Sequence, residues 1–524
     1  MAEIITGTFH MDEQGFLATI EELIERFDGY SSGKYLAELG KIHDEYGEIG
    51  SLSLFDEKVC ELGKELFCST SWVANLAWAM ISFDYDLVEH DANFLDGCRN
   101  IVRKYGMSVW LYEMINCQNP EADFTGNRKL SFHDYIQFMV QMQSKSVSNE
   151  ILDFFEHSLA APAKSSFTQQ HFKLQPEGWS FLFHIFVEQC RELSDQPYHG
   201  YRLLACDGSD VNIARDPEDE RTFIHEGEKG YNAIHVNALY DIMNHTYCDF
   251  LVQGKKKLHE RAALNTITDR YPDSVPAILM ADRGYESFNV FAHLIQKNMK
   301  FIIRMKDINS NGILSAYDLP DSQFDTHIKT TLTRRHTKET LGDPNTYTIL
   351  QQTTDLDFLD ENCTYYDIEF RIVRILLDNG TYICIATNLS EEDFPLEEIK
   401  KLYRMRWSEE TSFRELKYTI GLVNWHSSKY DGILQELNAR MILYNFCEFV
   451  TAQAVVRTRD NTKHIYKINF ATAVNICRAY LKHSSDEIET MLLIQKHLTP
   501  VRSNRKYPIR LRPKRNRDFM YRAA

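Results

Sequence analysis

Between Tyr403 and Lys417 the chain runs YRMRWSEETSFRELK, with three glutamates, three arginines and a lysine and no turn-forming residue. On a helix each residue advances about 100° around the axis. Tyr403, Arg406, Glu410 and Lys417 then share an arc of roughly 60°, while Glu409 and Glu415 project elsewhere. An acid flanked by two cations and a phenol is either a solvated face laced by helix pairs or one wall of a site that grips phosphate. The decision depends on what else converges there. Asp207 closes the apolar run YRLLACD and Asp282 closes AILMAD, and strand ends are where covered α/β sheets present functional groups. Three carboxylates in one core repel one another unless cations lie between them. Oxygen-only ligands favour Mg²⁺ or Mn²⁺ over zinc. Two such ions about 4 Å apart can activate water or a 3′-hydroxyl on one side of a phosphodiester and stabilise the leaving oxygen on the other. Asp210 competes with Asp207 but is expected beyond Gly208, past the strand end. His259 and Glu260 open a helix that could approach the site, and an acid there reads most simply as a partner of the helix dipole.

The elements that must position these residues are legible in outline. Up to about residue 195 the apolar spacing is helical, as in FLATIEELIERF and NEILDFFEHSL, and Ser131 with Asp134 resembles a capping box. From residue 200 the pattern alternates: strand-like runs at YRLLACD, 232–241 and 248–253, a helix at 259–271, the strand AILMA, a helix SFNVFAHLIQKN and a strand at 300–306. Residues 307–395 read as a β-rich insertion, with Asn379-Gly380 between alternating runs marking a hairpin. Helical spacing returns from PLEEIKKLY onward.

A chain of 524 residues, 44% hydrophobic and 25% charged, is an ordinary folded protein of more than one domain. It opens without a basic-then-apolar leader, and no run reaches about 18 uninterrupted apolar residues, so a cytoplasmic protein is expected and no membrane partner. Eleven cysteines lack CxxC pairing or zinc-finger spacing and read as buried reduced thiols. The net charge is −17, but residues 1–100 hold 20 Asp and Glu against 6 Lys and Arg, leaving only −3 for the rest. Residues 502–522 carry nine Lys and Arg and one Asp, a tail suited to phosphate backbones.

The four-residue pattern at 403–417 is complete as Tyr403, Arg406, Glu410 and Lys417. With LLACDGSD, MADRGY, KGYNAIHVNALYD and FIIRMKDINSNG, the sequence resembles bacterial insertion-sequence transposases of the DDE class, in the group with the Y-x2-R-x3-E-x6-K signature. The likeness covers roughly residues 115–524 and leaves the acidic first 100 outside it. The resemblance implies an α/β fold: a ribonuclease-H-like catalytic core with a β-rich insertion and a helical N-terminal region. It implies Asp207, Asp282 and Glu410 as catalytic metal ligands for Mg²⁺ or Mn²⁺, two ions, and Tyr403, Arg406 and Lys417 as residues that position DNA phosphate. The implied reaction is cleavage at the ends of an insertion sequence and strand transfer into target DNA. The implied partners are double-stranded DNA, as terminal inverted repeats and target, and a second copy in a DNA-bound homodimer, in a bacterial, nucleoid-associated setting. A catalytically inactive DNA-binding descendant and a non-mobile nuclease on the same fold are the alternatives. The expected organisation is an acidic helical extension (1–100), a helical candidate for DNA binding (101–195), the first part of the core (196–306), the β-rich insertion (307–395), the second part of the core with the glutamate helix (396–485) and a basic tail (486–524).

Overall fold

The structure, a computed structural model, describes residues 123–124, 129–193, 196–226, 229–360, 363–377, 380–454, 465–483 and 487–501. The acidic segment 1–100, Asn379 of the expected hairpin and the basic stretch 502–522 lie outside them. Among the described residues, contacts divide the chain into two units, one within 196–417, the other formed by those of 123–193 and 418–501.

The second of these, a helical unit, begins with α1 (Phe132–Gln141), α2 (Val147–Phe154), α3 (Lys164–His171) and α4 (Pro176–Leu193). Ser131 and Asp134 form the expected capping box at the start of α1, each side chain bonded to the other's backbone N–H.

The 196–417 unit is built on a ten-stranded sheet. Its strands and helices are β1 (Arg202–Ile213), β2 (Phe223–Ile224), β3 (Tyr231–Asp241), β4 (Thr246–Gly254), α5 (Glu260–Arg270), β5 (Ala277–Ala281), α6 (Phe288–Gln296), β6 (Lys300–Met305), β7 (Phe324–Thr333), α7 (Lys338–Gly342), β8 (Tyr347–Ile349), β9 (Tyr365–Leu376), β10 (Tyr382–Thr387), α8 (Leu396–Met405) and α9 (Trp407–Glu415). Five strands lie in the order β4-β3-β1-β5-β6. The first two neighbouring pairs are antiparallel and the last two parallel. This is the ribonuclease-H-like arrangement. Every residue of β5 is buried, as parallel strands covered on both faces must be, and Phe291 and Leu294 of α6 are buried in the same core cluster. The β-rich insertion continues the sheet: β10 pairs antiparallel with β6, and β9 and β7 follow. β9 and β10 form the hairpin expected near residue 380.

The chain then returns to the helical unit with α10 (Tyr430–Ala452), β11 (Ile465–Ile468), α11 (Phe470–His483), α12 (Glu487–Lys496) and β12 (Leu498–Val501). α10 is buried almost all round, so its polar residues need internal partners. Gln435 accepts from the Tyr135 hydroxyl and donates to the carbonyls of His171 and Leu174. Glu436 accepts from the N–H groups of His426 and Ser427 and pairs with Arg440 at 3.1 Å. Among the described residues no helix is long and apolar enough to cross a membrane, and the seven described cysteines are free, Cys206, Cys384 and Cys447 being buried.

Candidate active site

β1 and β5 run parallel, and their last paired residues are Cys206 and Ala281. Asp207 and Asp282 are therefore the next residues on two adjacent strands. Asp282 leaves the sheet as the cap of a short 3₁₀ turn, its Oδ1 accepting from Gly284 N–H at 2.7 Å. Asp207 does not end its strand, contrary to the sequence expectation. β1 loses its parallel partner after Cys206 but stays paired with β3 as far as Ile213, so Gly208 interrupts nothing. Glycine is required there because a Cβ would run into Nε2 of His235, packed over it from β3.

Asp210 corrects the same expectation. It lies inside β1, opposite His235. Three residues from Asp207 on a strand of period two, it projects from the other face. There it accepts from His235 Nδ1 at 2.6 Å and Lys255 Nζ at 2.8 Å. Burial raises its pKa, but these two bonds outweigh burial and bring it to about 2. Glu260, first residue of α5, lies 3.2 Å from Nε2 of the same imidazole, and that partner lowers its pKa. Burial works against charge on His235, yet Asp210 and Glu260 raise its pKa. His259 caps α5 through Ala262 N–H and lies 3.2 Å from Asp355. Asp210 and Glu260 thus belong to a charge-paired cluster of their own.

The glutamate helix has a seam at Arg406, which keeps helical angles (φ −50°, ψ −33°) between α8 and α9. Tyr403 is buried, with the Arg406 guanidinium 5.8 Å from its ring centroid. Arg406 Nη2 donates to Glu410 Oε1 at 3.0 Å, and Nη1 lies 3.8 Å from Asp207 Oδ2. Although the residue is only 4% exposed, its Nε and Nη1 have no hydrogen-bond partner. Burial disfavours its charge, but Tyr403, Asp207 and Glu410 raise its pKa. Lys417, just past α9, donates to Ser209 Oγ and the Asp210 carbonyl at 2.7 Å each, and burial lowers its pKa.

Glu409 was missed by the helix projection. It is fully buried, and neither carboxylate oxygen has a hydrogen bond. Burial drives its pKa well up, and the charge of Asp207 adds to the effect. It falls about 60° from Arg406 on the helix, so the covered face is simply wider than the arc of the other four. Ser412 on the same helix is covered too, its hydroxyl 2.8 Å from that of Tyr247.

Asp207 thus lies within electrostatic reach of each of the other two candidate acids. The pKa of Asp207 is raised by burial first, with the charges of Asp282 and Glu410 adding to it and Arg406 opposing. Among the described residues no three His, Cys, Asp or Glu already stand at metal-holding spacing; Arg406 stands between Asp207 and Glu410 instead. Asp207, Asp282 and Glu410 offer only hard carboxylate oxygens, a donor type that suits Mg²⁺ or Mn²⁺.

Residues 198–446 match the family model of the transposase DDE domain, a span that includes all six candidate residues. Among solved structures, the chain is similar to the piggyBac transposase synaptic complex with hairpin DNA, at 9% identity and a TM-score of 0.41, covering 77% of this chain and 82% of that one. A search of curated proteins found no match.

Proposed function

We propose that the transposase DDE domain matched at residues 198–446 is an active one. It cuts DNA at the ends of an insertion sequence and joins the freed ends to target DNA by cut-and-paste transposition, as a member of the bacterial group with the Tyr-Arg-Glu-Lys signature. The observation that supports this reading is that Asp207 and Asp282 follow the last paired residues of two adjacent parallel strands, with the charges of Asp282 and of the helical Glu410 both felt at Asp207.

Asp207, Asp282 and Glu410 would hold divalent Mg²⁺ or Mn²⁺, in two sites. Bound there, the ions supply an activated hydroxyl and charge stabilisation for the leaving oxygen. The chain's own contribution is placement. Arg406 has two nitrogens without hydrogen bonds, and a guanidinium with free donors clamps a phosphate in two-point fashion. The Tyr403 ring lies 5.8 Å from that guanidinium. Lys417, held against Ser209 and Asp210 of β1, adds a point charge along the phosphate path. Duplex DNA bearing terminal inverted repeats, and then target DNA, is the substrate. Pairing two ends calls for a homodimer on DNA, and the setting is the bacterial nucleoid.

The test is purified protein with Mg²⁺ and DNA carrying the element's inverted repeats. Nicking at the repeat boundary is expected, and Asp207→Asn, Asp282→Asn or Glu410→Gln should each lower it at least about a thousandfold while DNA binding persists. Binding without cutting by the unaltered chain would favour the inactive descendant. Cutting without joining would favour the nuclease.

A further inference from the structure

The charge-paired cluster around His235 is open on the side of the catalytic acids. His235 is 3% exposed and holds Asp210 through Nδ1 at 2.6 Å. Its Nε2 lies 3.2 Å from Glu260 Oε1, an ion pair without the alignment of a hydrogen bond. One oxygen of Glu260 is thus engaged. The other, Oε2, has no hydrogen bond or ion pair among the described residues, and the side chain is 39% exposed.

That free oxygen lies close to Asp282. Gly284 belongs to the 3₁₀ turn that Asp282 caps, and a Cβ on it would stand 3.0 Å from Asp282 Oδ1 and 3.8 Å from Glu260 Oε2. The two carboxylates therefore flank one gap, kept open by the missing side chain. The φ of Gly284 is not in the left-handed region, so it is the space and not the backbone that favours glycine there. The first turn of α5 is fastened to the same place, Arg261 Nε donating to the Gly284 carbonyl at 2.9 Å. Lys255 is engaged by Asp210 at 2.8 Å. Among the described residues neither of these cations, nor Arg283 of the turn, forms an ion pair with Asp282 or Glu260.

An acid at a helix start is ordinarily a partner of the dipole, and beside a buried imidazole it is ordinarily the counter-charge. Both roles are served without Oε2. Two carboxylates on either side of a small open gap repel each other unless a cation enters it. Mg²⁺ keeps several of its waters when carboxylates bind it, so an acid can help to hold the ion without stripping them.

We propose that Glu260 is a fourth acid of the active centre, whose Oε2 helps Asp282 hold the divalent ion by accepting hydrogen bonds from its water shell. His235, backed by Asp210, keeps the other oxygen in place. The inference rests on the transposase reading, in which Asp282 is a metal ligand, and it makes Glu260 a positioning residue.

The test is Mn²⁺ binding to the DNA-free full chain, read by electron paramagnetic resonance, for the unaltered protein, Glu260→Gln, Glu260→Asp and Asp282→Asn. Glutamine keeps a polar neighbour for His235, and aspartate keeps the charge at the helix start but withdraws it by one methylene. Both Glu260 variants should melt as the unaltered chain does and bind Mn²⁺ at least about tenfold more weakly, as losing an outer partner of a metal site does. Should the glutamine variant fail to fold, the aspartate variant carries the test. Saturating Mn²⁺ should restore nicking at the repeat boundary in the Glu260 variants but not in Asp282→Asn. Unchanged Mn²⁺ affinity in a folded Glu260 variant, with Asp282→Asn losing the ion, overturns the role of Glu260 and leaves the transposase reading standing. Nicking that stays low in a Glu260 variant saturated with Mn²⁺ overturns the ion-holding role as well. An unaltered chain that binds no Mn²⁺ overturns both the inference and the metal centre on which it rests.

Discussion

Two buried arginines of the 196–417 unit differ in how completely they are satisfied. Arg371, in the β-rich insertion, is fully buried. It grips Asp325 through Nε at 2.7 Å and Nη2 at 2.6 Å, and Nη1 reaches the carbonyls of Ser390 and Phe394. Arg406, beside the three acids, is almost as buried but makes one good hydrogen bond, to a Glu410 whose side chain is 42% exposed, and leaves Nε and Nη1 open. Native interiors rarely leave such groups unpaired. A guanidinium with every nitrogen hydrogen-bonded is part of the framework. One left open beside crowded carboxylates is poised for a ligand.

Substitution should separate the two roles. Arg371→Ala strands a carboxylate and three carbonyls and should cost about 3–5 kcal/mol of stability, seen as loss of a cooperative melt near room temperature or a large fall in denaturation midpoint. The helical unit has its own finished pair in Glu436. Burial raises its pKa, but His426 and Arg440 bring it from 4.5 to about 2. A depressed carboxylate stabilises the fold above its unfolded pKa and loses that contribution as pH falls toward its folded one. Between pH 4.5 and 2 the chain should lose roughly 3 kcal/mol, a loss that denaturation of Glu436→Gln should not repeat over the same range. Arg406→Ala should behave oppositely to Arg371→Ala, lowering DNA cleavage about a hundredfold while the melt moves little. Equal losses of stability in the two arginine variants would erase the distinction. The smallest effect is expected of Glu409→Gln, which replaces an orphaned carboxyl by a neutral amide: a melting point no lower and cleavage within about threefold. An inactive Glu409→Gln beside an active Glu410→Gln would move the third ligand by one residue.

Much of this arrangement was legible in the sequence because it depends on periodicity. The core strands, the helix between β4 and β5 and the hairpin of the insertion all announced themselves as alternating or three-and-four spacing. The meeting of Asp207 with Asp282 followed from two apolar runs each closed by an acid. What escaped were features set by partners distant in the chain. Gly208 reads as a strand stop, yet pairing with β3 and the His235 ring carry β1 through it. The helix projection ranked Glu409 by angle, but how wide a face is covered is decided by the packing around the helix. A buried acid one residue from the candidate ligand was the available signal for Glu409, and burial is a tertiary property.

The most direct measurement is a Mn²⁺ titration of the DNA-free chain, read by electron paramagnetic resonance or calorimetry, on the unaltered protein and on Asp207→Asn, Asp282→Asn and Glu410→Gln, each checked for a native melt. If these three side chains share divalent ions, the unaltered chain binds saturably and each single substitution weakens binding at least about tenfold. Four proteins binding Mn²⁺ alike, or none binding it, would contradict a shared site and leave Arg406 and Glu410 as an ordinary helix pair.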